Sequence, residues 1–240
     1  MNVDKLLEDL LNNMNLIKPE DIPNIDLYMD QVTTFMDRRL YSTKRIDDEK
    51  ALTKTMINNY AKNDLLPSPE KKKYSKDHVL LLTLIYYFKN VMSISDIKKL
   101  MQPITDKFFH TSKGADLVDV YSEIEGLMDA IGQKVSDDVH EKAKVASNSY
   151  NSEEFKSVSE KDANYLKLFS LVSMLCFDIY LKKQLVEAIV DTLEEPISKA
   201  DREKLAKREQ EEREKLAKKE REEREKQLKR QREEREKFKK

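Results

Sequence analysis

The chain has 240 residues with a formal net charge of −1; 38% of them are charged and 39% apolar. It holds 3 Gly, 6 Pro, 1 Cys and no Trp. Turn-rich all-β folds and Rossmann sheets need far more residues free to take φ > 0, and a single cysteine supplies neither an internal disulfide nor a multi-thiolate metal site. One or two mainly helical domains in a reducing, cytoplasmic setting are therefore expected. Residues 1–10 are amphipathic and carry acids, unlike the basic start and apolar run of a signal peptide.

Residues 2–17 predict an amphipathic helix, with Val3, Leu6, Leu7, Leu10, Leu11 and Met14 on one face. Residues 18–24 contain Pro19 and Pro23 and read as a connection. Residues 28–40 give a second helix through Val32, Phe35, Met36 and Leu40. Asp47 or Asp48 is the expected N-cap of a third helix running to about Asp64. Leu52, Met56, Ile57 and Tyr60 would point inward from it. At about 100° per residue, Lys54, Thr55, Asn58 and Lys62 share one sector, with Asn59 at its edge and no carboxylate among them. Such a face suits a DNA groove: cations for phosphates, and amides that can bind adenine at two points.

Residues 65–74 follow, with Pro67 and Pro69 barring helix and Lys71, Lys72 and Lys73 in a row. This predicts a projecting loop whose cations reach phosphate. Ser75 is expected to cap a core helix that is apolar nearly all round from Val79 to Phe88. Ser93 and Asp96 form a capping box for the next helix, which Pro103 is expected to stop.

Residues 104–193 form a further helical region. Leu117, Tyr121, Ile124, Leu127, Met128, Ile131, Val135 and Val139 follow helical spacing, weakened by ~1 kcal/mol at each of Gly126 and Gly132. Residues 143–161, rich in Ser, Asn and Glu, predict a loop. Residues 165–193 predict a helix apolar on almost every side in its first half, as in a core or against a second copy of the chain. Its uncharged segment, 168–177, falls far short of the ~20 residues a bilayer needs, so no membrane partner is expected. Cys176 within it reads as a small buried hydrophobe.

Pro196 separates the last segment. Arg-Glu-Lys recurs every eleven residues from Arg202 to Lys237, returning to nearly one helix face each time. Acids precede bases by four residues at Glu203–Lys207, Glu211–Lys215 and Glu214–Lys218. The apolar stripe is thin (Leu205, Leu216, Leu228, Phe238), so a solvated, charged single helix is expected rather than a strong coiled coil. Residues 199–240 hold nineteen Lys and Arg against thirteen Asp and Glu, so this tail is +6 and the rest of the chain −7. A nucleic-acid site on the body must then be a local basic patch.

In its order of parts, the segment Leu27–Met101 resembles the helix-turn-helix domain of the MerR family of bacterial regulators. Thr55-Met-Ile-Asn-Asn-Tyr-Ala-Lys-Asn-Asp-Leu-Leu66 matches that family's recognition-helix segment. Lys73-Tyr74-Ser75 falls at the end of its wing, and Ser93-Ile-Ser-Asp-Ile-Lys-Lys-Leu matches the helix after it. Asp30-Gln-Val, Leu52–Tyr60 and Lys71–Ser75 are similar to an uncharacterised Gram-positive bacterial family with a MerR-like helix-turn-helix. The chain departs by Asn58 in place of Arg, by Asp64 in place of a glycine, and by a wing without glycine.

These readings give an all-α chain. Its parts are an N-terminal helix and linker (1–24), a MerR-like winged helix-turn-helix (25–103), a helical dimerisation or partner-binding region (104–196) and a charged helical tail (197–240). The expected function is a DNA-binding transcriptional regulator, with Lys54, Thr55, Asn58, Asn59, Lys62, Lys71, Lys72 and Lys73 on DNA and a homodimer as its assembly. A helical protein–protein adaptor that keeps the winged shape without DNA contacts is the alternative. No phosphate loop, nucleophile elbow or zinc-protease motif is present, and His78, His110 and His140 lack metal-ligand spacing, so no enzyme, cofactor or metal is expected.

Overall fold

The computed structural model describes residues 3–13, 16–44 and 49–195, together with eight positions between 201 and 218. Residues 1–195 form one compact unit and residues 196–240 a second. The first unit is all-α apart from a two-stranded sheet.

Helix α1 (Val3–Asn13) docks through Leu7, while Leu6 and Leu10 of its predicted apolar face stay exposed. It ends before Ile17, which is a buried core residue outside the helix. After a 3-10 turn at Pro19–Asp21, strand β1 (Leu27–Tyr28) leads into α2 (Met29–Arg39). Val32 and Met36 are fully buried on α2, as helical spacing requires.

The next helix, α3 (Lys54–Lys62), is shorter than the predicted 49–64. Thr53 caps it, its hydroxyl accepting from the Met56 N–H at 3.2 Å. The expected caps Asp47 and Asp48 lie outside the described residues. Ala51 and Leu52 are buried just before the helix. Asp37 holds that approach by accepting from Lys44 Nζ at 2.7 Å and from the Ala51 N–H at 3.2 Å. The Lys44 hydrogen bond also keeps the Asp37 carboxyl below its ordinary pKa.

Strand β2 (Lys73–Tyr74) pairs antiparallel with β1, Leu27 opposite Tyr74 and Tyr28 opposite Lys73. Helix α4 (Lys76–Phe88) is buried from His78 through Tyr86 and forms the centre of the core. Helix α5 (Ile94–Phe108) starts at the Ser93–Asp96 box as expected, the Asp96 N–H donating to Ser93 Oγ at 3.2 Å. It does not stop at Pro103. The proline lies inside the helix, where the buried Ile97 and Met101 and the packed Leu100, Ile104 and Phe108 offset one missing backbone bond.

Helices α6 (Leu117–Ser147) and α7 (Glu160–Asp191) pack against each other. The predicted loop 143–161 begins only after Ser147, because α6 continues to bury Ala146. The core reaches beyond residues 25–103, taking in Ile17, Ile22, Leu117, Tyr121 and Val190. Tyr121 Oη donates to the Ile17 carbonyl at 2.8 Å, tying the first turns of α6 to the segment before β1.

Helix α7 is not packed on several sides. Only Leu171 and Val190 are buried on it, and Cys176 is exposed rather than buried. By length and composition, α7 is long and apolar enough to cross a membrane. In the second unit, Lys207, Glu211, Glu214, Lys215 and Lys218 are helical and exposed where described. Leu205, Leu216, Leu228 and Phe238 lie outside the described residues.

Candidate nucleic-acid interface

Every residue of the predicted α3 face is exposed: Lys54, Thr55, Asn58, Asn59 and Lys62. Ile57 and Tyr60 anchor the opposite face, so the amides turn to solvent because the apolar side is held in the core. The helix closes in a double-bonded C-terminal turn. Leu65 N–H donates to the Tyr60 carbonyl at 2.9 Å and Asp64 N–H to the Ala61 carbonyl at 3.3 Å. Asp64 has φ = 56°, the left-handed backbone that glycine takes at this position most easily. Lys98 of α5 braces the turn through the Asn63 carbonyl at 2.9 Å.

The lysine run is not an extended loop but a tight hairpin turn. Lys73 N–H donates to the Glu70 carbonyl at 2.8 Å, and the two residues between, Lys71 and Lys72, have φ of 48° and 65°. Two positive φ values across a two-residue loop are the signature of a type I′ turn, whose sense matches the twist of paired strands. Asn-Gly is the usual occupant; here two lysines are held there and both project, exposed. Lys73 lies on β2 instead, its ammonium 5.4 Å from the Tyr28 ring centre.

Lys54 and Lys73 meet the junction of β1 and α2. Lys73 lies over Tyr28, and Lys54 forms an ion pair with Asp30. The N-terminal end of α3 and the base of the wing are thus brought to one edge. Lys62 sits about 12 Å further along α3 at a 1.5 Å rise per residue. Among the described residues, Lys62, Lys71 and Lys72 have no carboxylate partner, whereas Lys54 is paired. The contacts of Asp30, Tyr28 and Lys98 carry no local sequence signal; they arise from pairings across 24, 45 and 35 positions of chain.

The base of the wing carries a polar cluster. Ser75 N–H donates to His78 Nδ1 at 3.0 Å, and Ser75 Oγ lies 2.8 Å from both His78 Nδ1 and His110 Nε2. The His110 N–H donates to Asp77 at 2.8 Å. Burial pushes the His78 pKa from 6.5 down to about 4, with the neighbouring His110 adding to the effect. With Nδ1 accepting, the neutral ring carries its proton on the buried Nε2. No group of three metal-binding side chains occurs among the described residues.

Residues 17–124 match a family model described as a domain of unknown function, DUF1836. The DUF1836 match starts at Ile17 and ends at Ile124, so it spans the hydrogen bond from Tyr121 to Ile17 that closes the core. It takes in α2 to α5 and the first turns of α6, and it contains all eight predicted contact residues. No curated protein and no solved structure matches the chain.

Proposed function

We propose that the DUF1836 segment is a MerR-like winged helix-turn-helix that binds DNA, and that the chain acts as a cytoplasmic transcriptional regulator without catalysis. In this reading α3 enters the major groove, with Asn58 and Asn59 at base edges and Lys54, Thr55 and Lys62 at its margins. Lys71 and Lys72 at the wing tip contact phosphate, and Lys73 supports the wing from its base.

The observation that carries the reading is the turn at Lys71–Lys72. Two unpaired cations occupy left-handed backbone at the tip of a hairpin beside an exposed helix face that carries no acid of its own. Non-glycine residues in such backbone persist where the surroundings hold them, and they concentrate at functional sites.

The test is binding of a genomic fragment library at low salt by wild type and by Lys71/Lys72/Lys73→Ala. Wild type is expected to retain fragments, and the variant to bind more weakly across all sequences. Each lost phosphate contact should lower the slope of log K against log salt by ~0.9. No fragment retained by wild type at any salt would refute the proposal.

One observation favours the adaptor reading. Asp30 pairs with Lys54, which removes a free cation from the groove-facing edge. A protein partner whose footprint covers α3 and the wing, with DNA retention absent, would establish it.

A further inference from the structure

An open cavity of about 570 Å³ lies between α1, α6 and α7. Its size falls within the ~300–1,000 Å³ of small-ligand sites. The walls are apolar: Val3 of α1, Ala143 and Ala146 of α6, and Leu168 and Leu171 of α7. The space exists because α6 faces α7 here with small side chains, Ala143, Ala146 and Ser147. At about 100° per residue these three share one side of the helix. The Ser147 hydroxyl is already committed, donating to the Lys144 carbonyl at 2.8 Å. Asn164 and Lys167 stand one turn apart on α7 and line the same space, with Tyr165 at its rim. No acid lines it among the described residues. Lys167 is half-buried and has no carboxylate partner among them, and the Asn164 amide has no hydrogen-bond partner either.

We infer that this cavity binds a medium-chain fatty acid, its carboxylate on Lys167 and Asn164 and its alkyl tail against Ala143, Ala146, Leu168 and Leu171. The inference stands independently of DNA binding by the winged segment. Charge selects the head group. One ammonium and one neutral amide balance a single negative charge, and a phosphate dianion would bring a second with nothing to meet it. An uncharged ligand would expel water from beside the ammonium and leave it unpaired, which is costly. The walls select the tail. Small side chains on α6 and two leucines on α7 offer no polar partner, so the part of the ligand between them must be apolar.

Every lining residue lies outside 17–124, in parts of the chain that the DUF1836 match does not reach. Val3 gives the site a link to α1. That helix is lightly held: Leu7 is its one buried residue among those described, and Asp4 pairs with the exposed His140 of α6 at 3.1 Å. An occupant that touches Val3 should steady it.

The experiment is calorimetric titration of the full chain with octanoate, well below its micelle concentration. Octanol and octyltrimethylammonium serve as the uncharged and cationic arms. Octanoate is expected to bind about tenfold or more tightly than octanol, and the cation not at all. Lys167→Gln should bring octanoate down to the level of octanol. Ala143→Leu fills the cavity from its α6 wall and should abolish binding of both, with unchanged helical circular dichroism. Amide hydrogen exchange over residues 3–13 of unaltered protein should slow when octanoate is added, which decides the matter even if a variant fails to fold. Four results would each overturn the inference: no binding of octanoate, equal binding of the three amphiphiles, octanoate binding undiminished in either variant, or exchange over residues 3–13 unchanged at saturation.

Discussion

Left-handed backbone costs an L-residue with a side chain roughly 1–2 kcal/mol, and Lys71 and Lys72 take it side by side. Replacing the pair by Asn-Gly, the preferred type I′ sequence, should raise stability by about 1 kcal/mol in a denaturant titration. The same change removes two wing-tip cations, so affinity for DNA should fall while stability rises. A variant gaining in both would separate the wing from binding. At the other end of β2, His78 links stability to pH. Its folded pKa of about 4 lies below the ordinary 6.5, so as pH falls through 6.5 the unfolded chain gains a proton that the folded chain refuses. Stability should then drop by at most about 1.4 kcal/mol per pH unit between 6.5 and about 4, where the folded ring takes its proton too. His78→Gln keeps an acceptor three residues after Ser75, as a capping box requires, and should flatten the profile between pH 6.5 and 5. The exposed lysines and amides of α3 were legible in the sequence because apolar spacing fixes which side is core. The turn was not, since lysines give no signal for positive φ. Nor was the Lys54–Asp30 pair, which depends on how α2 and α3 meet.

Among the elements, α4 was legible because an apolar run behind a Ser cap has one comfortable place, the middle of the core. Helix α5 shows where a local rule yields. Proline in a helix interior is disfavoured by ~3 kcal/mol against alanine, yet Ile97, Met101 and Ile104 pack on both sides of Pro103 and carry the helix through. The start of α3 was misplaced for a related reason. Leu52 has the spacing of a helical core residue, and it is buried, but from the segment before the cap. The first turns of α6 belong to the same core through Tyr121. Its hydroxyl is buried and reaches the Ile17 carbonyl at 2.8 Å. Tyr121→Phe should leave that carbonyl unsatisfied and lower stability by about 1–3 kcal/mol in thermal or denaturant melts. A neutral result would mean that the 17–124 boundary of the DUF1836 match does not reflect a closed core.

At the scale of the whole molecule, charge is divided as sharply as packing. Every core residue among those described lies within 1–195, while the +6 of residues 199–240 nearly offsets the −7 of the rest. A chain cut after Glu195 should therefore melt close to the full chain, because no part of the core is removed. Its net charge falls from −1 to −7, and long-range attraction of a polyanion weakens with it. DNA association at low salt should slow markedly. The difference between the two chains should fade as salt shortens the screening length to ~8 Å near physiological strength. Contacts at the wing are short-range, so Lys71/Lys72/Lys73→Ala should weaken binding in both chains. If truncation abolishes binding at every salt concentration and the wing variant changes nothing, the tail rather than the winged segment holds DNA.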